Sequence, residues 1–303
     1  MAPASRLVSV VIITRNRPKM VRNCLEHLFQ QDYKPFETIV VDSSPDEQTH
    51  AVLDGFPQVM RLHIPSGRNN MPQARNLGIA QARGEIVAFI DDDSMVQEGW
   101  LSEIVRCYSE PNVGGVGGRV LDELEALRGT TKGEIGRILE DGHIVSGFDR
   151  SGTELVEVDH VRGCNMTFSR LALQEAGPFD HRYSGRNYLE DTDMGFRVKQ
   201  AGYRILYNPR AVVHHLAARW KGATATEEDS TAMFYLGRNM TYFYVKHFGF
   251  RTRALRHLLL GNSKGLVDAF WKHPGVRRLL ALCAYVVGVA IGWVAGMVYL
   301  GNK

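Results

Sequence analysis

ARNLGIAQARGEIVAFIDDDS, residues 74–94, decides the fold. Its first half continues a helical pattern that opens near Pro72 and closes at Ala82. Glu85 to Ile90 is then an apolar, β-branched run, which delivers Asp91, Asp92 and Asp93 to its C-terminal end. The same alternation precedes it. Val8 to Thr14 reads as a strand, and Pro18 opens a helix with Val21, Cys24, Leu25 and Leu28 on one face. Glu37 to Val41 and Met60 to Ile64 read as two more strands. Strand, helix, strand, helix implies right-handed βαβ units on a parallel sheet, an α/β fold. Ligands of such sheets sit beyond the carboxyl ends of the strands, where Asp42 and the three successive aspartates fall.

Beyond residue 113 the regularity weakens. VGGVGGRV (113–120) has neither the GxGxxG spacing nor a following helix. It is therefore not a dinucleotide loop, and its glycines are expected to mark close backbone packing near a ligand or an edge strand. Residues 121–153 carry few apolar anchors and read as an insertion. Leu155 to Val161 reads as a strand, Leu171 to Ala176 as a short helix, and Glu190 to Ala201 as a helix capped by Gly202. Tyr203 to Val213 reads as extended chain.

The 303 residues are 44% hydrophobic and 23% charged, which excludes a disordered or collagen-like chain. A net charge of +3 is too weak for coating nucleic acid, so no nucleic-acid partner is expected. Cys24, Cys107, Cys164 and Cys283 are scattered, with no CxxC pair. Neither a disulfide framework nor a cysteine zinc site is implied, and a reducing compartment fits. No signal peptide is expected, because the first apolar run passes directly into Thr-Arg-Asn-Arg-Pro without a small-residue cleavage site.

A composition shift near residue 220 divides the chain into a body, 1–220, and a tail, 221–303. Residues 238–278 hold nine Lys or Arg against one acid, with aromatics in and just before that stretch. Interleaved aromatics beside an apolar helix suit a membrane interface. LLALCAYVVGVAIGWVAGMVYL (279–300) has no charge and is long enough for a bilayer core of roughly 30 Å. Three readings stay open for it: a spanning helix, one lying in a leaflet, and a buried helix at a dimer interface. Gly288, Gly292 and Gly296 make a stripe suited to close helix packing in lipid.

Three constellations carry chemistry. Asp91 and Asp93 share a strand face while Asp92 turns away. Two such carboxylates repel unless one is protonated or a cation sits between them, and a hard divalent ion suits all-oxygen ligands. A solvated acidic turn is the plainer explanation. YLEDTDMGFR (188–197) puts Glu190, Asp191 and Asp193 in a first helical turn, where the helix dipole favours acids. The helix-dipole account is the plainer one, and a general base at the mouth of a site is the functional alternative. His214 and His215 follow an apolar segment, and one of them could join the aspartate pair as a neutral ligand.

Taken together, VSVVIITRNRP (8–18), ETIVVDSS (37–44), residues 74–94, GCNMTFSR (163–170), YLEDTDMGFRVKQAGYRI (188–205) and NPRAVVHH (208–215) resemble the family-2 glycosyltransferases. The resemblance runs over about two-thirds of the chain and rests on the order and spacing of these segments. It implies a GT-A fold for residues 1–220 and an inverting transfer of sugar from a nucleotide-diphosphate donor, UDP-, GDP- or dTDP-linked. The acceptor implied is a hydroxyl of a glycan or lipid-linked molecule. Asp91 and Asp93 resemble the DxD pair, with Asp93 the nearer metal ligand and His215 completing a Mn2+ or Mg2+ site. Thr14, Arg15, Asn16, Asp42, Arg75, Asp91 and Asp92 are expected to contact the donor, Glu190 the acceptor, and Asp191 to be the base. After Asp42, Ser43, Ser44, Pro45 and Asp46 depart from the family's usual Ser-Thr-Asp run, which leaves the base of the donor open. The expected location is the cytoplasmic face of the membrane, through 238–300, with self-association left open. A non-catalytic membrane-bound scaffold of the same fold is the alternative; a nucleotidyltransferase, lacking a basic phosphate loop here, is more distant.

Overall fold

Strands β1 (Val8–Thr14), β2 (Phe36–Asp42), β3 (Val59–His63) and β4 (Ile86–Asp91) run parallel in the order β3-β2-β1-β4. Helices α1 (Pro18–Phe29), α2 (Gln48–Leu53) and α3 (Met71–Gln81) connect them. The computed structural model describes residues 5–45, 47–65, 70–122, 133–139, 142–185, 187–216, 229–249 and 276–301. Pro18 opens α1, where its missing N–H costs nothing, and Val21, Cys24, Leu25 and Leu28 are buried against the sheet. Asn70 caps α3 by accepting from Gln73 N. The register pairs Thr14 with Asp42 and Ile13 with Asp91, so the strand ends carrying polar residues lie side by side.

The second half extends this sheet with strands of both directions. β5 (Ser94–Val96), β6 (Val113–Leu121), β9 (Val156–Val158), β10 (Met166–Ser169) and β11 (Arg204–His215) bring it to nine strands. β10 is antiparallel to β4 and to β6, and β11 is parallel to β6. β6 thus lies inside the sheet, not at an edge as its glycines suggest. The glycines make room for neighbours. A Cβ on Gly118 would overlap the carbonyl of Ala211 and the Asn165 side chain. Helices α4 (Trp100–Cys107), α5 (Arg170–Ala176) and α6 (Glu190–Gln200) pack around this half. Ser169 caps α5 by accepting from Ala172 N.

Residues 121–153 also depart from expectation where they are described. Ile135, Val145 and Phe148 are buried in them, and β7 (Arg137–Ile138) pairs with β8 (Ile144–Val145). Residues 123–132, 140 and 141 lie outside the described residues, as do 217–228, where the boundary near 220 was read.

Two long helices follow, α7 (Ser230–Phe248) and α8 (Val276–Gly301); most of the basic stretch, residues 250–275, lies outside the described residues. α7 rests on the body. Asn239 donates to Ser184 O, Tyr242 to Asp180 and Arg238 to Arg182 O. α8 runs alongside α7 in the same direction. A Cβ on Gly288, Gly292 or Gly296 would overlap Phe234, Arg238 and Val245 respectively. The glycine stripe is therefore used within the chain. The opposite side of α8 exposes Leu280, Val287, Ile291, Val294 and Val298.

Candidate active site

β4 ends at Asp91, and the tight turn through Asp92 and Asp93 into β5 sends the three aspartates to different sides. Asp92 turns inward, 3% exposed, and accepts from Thr14 Oγ1 at 2.7 Å and from Arg17 at 2.9 Å. Asp91 and Asp93 turn to the other side, where the end of β11 places His215. His215 Nε2 lies 3.3 Å from Asp93 Oδ1 and 4.0 Å from Asp91 Oδ2. Its Nδ1 lies 3.1 Å from Asp122 Oδ2, which Arg162 also holds at 3.3 Å. Arg17 pairs with Asp93 Oδ2 at 2.9 Å as well.

This concentration of buried acid shapes the protonation of its members. Burial pushes Asp91 up, with Arg75 opposing and Asp93 adding to the rise. Burial also lifts Asp92 to about 7 against the pull of Arg17. On His215 burial works downward, but Cys164, Asp122 and Asp93 outweigh it and raise the imidazole to about 11. The carboxylates at this strand end therefore favour a cation among them. The ligand atoms of Asp91, Asp93 and His215 all lie within 4.8 Å of one another. Asp93 Oδ1 is buried without a hydrogen bond of good geometry. Two carboxylates and one imidazole, with an acceptor left over, fit a divalent ion of the Mn2+ or Mg2+ class.

Arg75 joins this group to the start of α6. It is 1% exposed, pairs with Glu190 Oε1, and lies 3.3 Å from Asp91 Oδ1. Burial alone would favour its neutral form, but Glu190 and Asp91 raise it further. Asp191, the next residue, accepts from Gly163 N at 2.8 Å and from Thr192 N at 2.7 Å. Leu189 before them holds φ at +67°, a left-handed conformation costing of order 1–3 kcal/mol for such a residue. That turn sends Glu190 inward and leaves Asp191 half-exposed. A Cβ on Gly163 would lie 2.9 Å from Arg75 and 3.3 Å from Asp191, so a larger residue here would have to displace those two side chains.

The remaining candidates lie on neighbouring strand ends. Asn16 has φ of +55° and donates its N–H to Ser44 Oγ, which ties the loop after β1 to that after β2. Arg15 Nε is buried without a partner. Asp42 accepts from Ser44 N and Ser44 Oγ through Oδ1; it groups with His50 and His63, not with the β4 aspartates. Asn76, beside Arg75, holds both N and O of Phe179 and so braces α3. His214 is left out of the cluster that His215 completes. Sequence reading missed Arg17, Asp122 and Gly163. Arg17 stood in the quoted first segment and Gly163 in GCNMTFSR, but Asp122 carried no motif.

A family model described as glycosyl transferase family 2 matches residues 9–177, more than half of the chain. The chain belongs to glycosyl transferase family 2. It is a glycosyltransferase with the GT-A fold. The matched residues include β1 to β4 and the aspartates that end β4.

Relatives place the transferase further. A glucosyl-dolichyl phosphate glucuronosyltransferase of Haloferax volcanii is 26% identical, over 96% of both chains. A pre-mycofactocin glycosyltransferase of Mycobacterium tuberculosis is 27% identical over 70% of this chain and 43% of its own. Among solved structures, a Pyrobaculum calidifontis mannosyltransferase in complex with GDP-Man and Mn2+ superposes with a TM-score of 0.59 at 20% identity. That match covers 98% of this chain and 87% of the other. GalNAc-T7 with UDP, GalNAc and Mn2+ gives 0.58 at 17% identity, over 80% and 50%. At these identities the two structures speak for the fold.

Proposed function

We propose that this transferase is metal-dependent and inverting, and that it moves a sugar from a nucleoside-diphosphate donor to a hydroxyl of a lipid-linked glycan. The convergence of Asp91, Asp93 and His215 beside Arg75, Glu190 and Asp191 carries this reading. The full-length relative named for a dolichyl-phosphate-linked acceptor supports the acceptor class. The Mn2+ bound in both structural neighbours supports the ion.

Asp91, Asp93 and His215 would hold the ion, whose chemistry is to stabilise negative charge on the leaving diphosphate. Thr14, Arg15, Asn16 and Asp42 line the strand ends where the nucleoside belongs, and Asp92 fixes that loop through Thr14 and Arg17. Asp191 takes the proton of the acceptor hydroxyl as its oxygen attacks the anomeric carbon. The bond to the diphosphate oxygen breaks on the opposite face, which inverts the configuration. Gly163 N holds one oxygen of Asp191 and Thr192 N the other, which fixes the carboxylate while each oxygen keeps a further lone pair. Glu190 keeps Arg75 charged beside the donor side, and its Oε2, without a hydrogen-bond partner, is the atom left for an acceptor group.

The tail supports membrane attachment along its side. Among the described residues α8 is the helix long and apolar enough to cross a bilayer, over Leu279–Gly301, and most of that segment is not buried. Yet it lies against α7, and α7 is tied to the body by Lys246 and His247 on Asp193. A perpendicular insertion would carry those charged contacts toward hydrocarbon, at several kcal/mol for each unsatisfied group. A helix lying in the interface, with Leu280, Val287, Ile291, Val294 and Val298 in lipid, keeps them in water.

The reaction itself tests this reading. Purified protein is incubated with Mn2+, a panel of nucleotide sugars and a polyisoprenyl-phosphate-linked glucose, and the product is read by mass spectrometry and NMR. One added sugar with inverted anomeric configuration is expected. A retained configuration, or no transfer from any donor by folded protein, would overturn it.

A further inference from the structure

A second group of ligating side chains lies at the same edge of the sheet, around the end of β2. The parallel register pairs Asp42 with His63 of β3, and α2 lays His50 across them. The ligand atoms of Asp42, His50 and His63 all lie within 4.8 Å of one another. His50 Nε2 is 3.4 Å from Asp42 Oδ2, and the two imidazole rings meet edge to face at 4.9 Å.

The surroundings orient Asp42 and His50 for a ligand. Asp42 is 1% exposed, and Ser44 occupies its Oδ1 twice, through N at 2.8 Å and Oγ at 2.5 Å. Its Oδ2 is buried and has no hydrogen-bond partner. His50 Nδ1 lies 2.9 Å from Glu47 Oε2. A proton on Nδ1 leaves the lone pair of Nε2 facing the free oxygen of Asp42. Two lone pairs held this close repel unless a cation lies between them. A carboxylate behind a histidine that faces a second ligand is also the arrangement that orients and strengthens metal-binding imidazoles.

We propose that Asp42, His50 and His63 form a second metal site, which takes a borderline transition ion such as Zn2+ or Co2+. A tetrahedral ion with bonds of about 2.0–2.1 Å sets its ligands roughly 3.3–3.4 Å apart, the spacing already present between Asp42 and His50. His63 is exposed and free to close the remaining gap by side-chain rotation. Two imidazoles and one carboxylate give this site a softer donor set than the two carboxylates and one imidazole at the end of β4. If Asp42 contacts the nucleoside, as the functional reading above holds, the ion and the donor compete for the same carboxylate oxygen. Zinc would then inhibit a Mn2+-supported reaction by excluding its donor.

Metal counting tests this on untagged, full-length protein stripped with chelator, at about pH 8, where a free imidazole is neutral. Calorimetry with Co2+ should show two equivalents bound in the parent chain, and visible d–d absorption should report the one with lower coordination number. His63→Gln and His50→Gln should each lose one equivalent and that absorption. Glu47→Gln should keep the stoichiometry and weaken this equivalent by about ten- to a hundredfold. A single equivalent in the parent chain, or two in folded His63→Gln, would overturn the site and leave His50 as an imidazolium bridging Asp42 and Glu47. A parallel titration with UDP, GDP and dTDP in Mn2+ separates the two readings. Failure of nucleotide binding with two Co2+ retained sinks the donor assignment alone, whereas nucleotide binding with one Co2+ sinks this site alone.

Discussion

Two buried carboxylate groups, Asp193 in the first turn of α6 and the aspartates at the end of β4, are compensated to different degrees. Asp193 is completely buried, and its oxygens meet Tyr183 at 3.0 Å, His247 and Lys246 at 2.7 Å each, and Arg197 at 2.8 Å. Burial would raise it, but the hydrogen bond from His247 and the charges of Arg197 and Lys246 hold it well below the usual carboxylate range. At the end of β4 the balance is divided: burial pushes Asp91 up and Asp92 to about 7, while on Asp93 the hydrogen bond and charge of His215 and the charge of Arg17 overcome burial and hold it down. The first group is a finished ion cluster that fastens α7 to the body. The second has more acid than its own cations satisfy, which is the condition of a site built for a cation and a charged substrate.

The largest effect expected from this contrast is chemical. Asp191→Asn should lower turnover by about a hundred- to ten-thousandfold while leaving donor affinity nearly unchanged. Steady-state kinetics with calorimetry on the same preparation would show it, and a matching loss of donor affinity would remove Asp191 from the role of base. The next effect is structural. Asp193→Ala removes the carboxylate that His247, Lys246 and Arg197 share, leaving Lys246 only Asp180 and Arg197 only backbone carbonyls, and should cost about 3 kcal/mol in urea unfolding. A loss below about 1 kcal/mol would show that the ion cluster does not hold the tail.

Smaller effects sharpen the contrast. Gly292→Leu drives a side chain into the Arg238 backbone and should cost about 1–3 kcal/mol, with α8 displaced from α7. An unchanged Tm would mean that the two helices do not pack as described. Acid dependence distinguishes the groups by sign. The Asp193 carboxyl lies lower in the folded than in the unfolded chain, so its contribution is complete above the unfolded value of about 3.9. It is lost progressively as the pH falls below that value toward the folded one. The stability gap between the parent chain and Asp193→Asn should therefore be constant from about pH 7 to 5 and shrink below about pH 4. A gap that widens on acidification would contradict the assignment.

How legible this was depends on whether neighbours in space were neighbours in sequence. The βαβ half was readable because its strands end on or next to polar residues, and Asp91 and Asp93 stand within two residues of the end of β4. The apolar segment pointed to His214 or His215, and only the family resemblance singled out His215. The interior place of β6 was hidden, because the small glycine side chains that permit it also suggest an edge. Arg17 and Asp122 act through partners some 75 and 93 positions away, and nothing local marks such pairings. Likewise, Asp180 and Asp193 meet Lys246 only because α7 folds back on the body. The glycine stripe of α8 was visible as a packing surface, but its partner, α7, was not. His50 and His63 are isolated histidines in the sequence, and only the parallel register of β2 and β3 brings one of them beside Asp42.

The central claim is that the acids at the end of β4 hold a divalent ion through which a nucleotide sugar binds. Calorimetric titration of UDP-, GDP- and dTDP-sugars into the full-length protein, first with Mn2+ and then with EDTA, tests it most directly, with Asp93→Ala alongside. One donor should bind tightly with Mn2+ and lose most of its affinity in EDTA, and Asp93→Ala should bind it weakly in both. Donor affinity that survives chelation unchanged, or no donor bound by protein shown to be folded, would contradict the account.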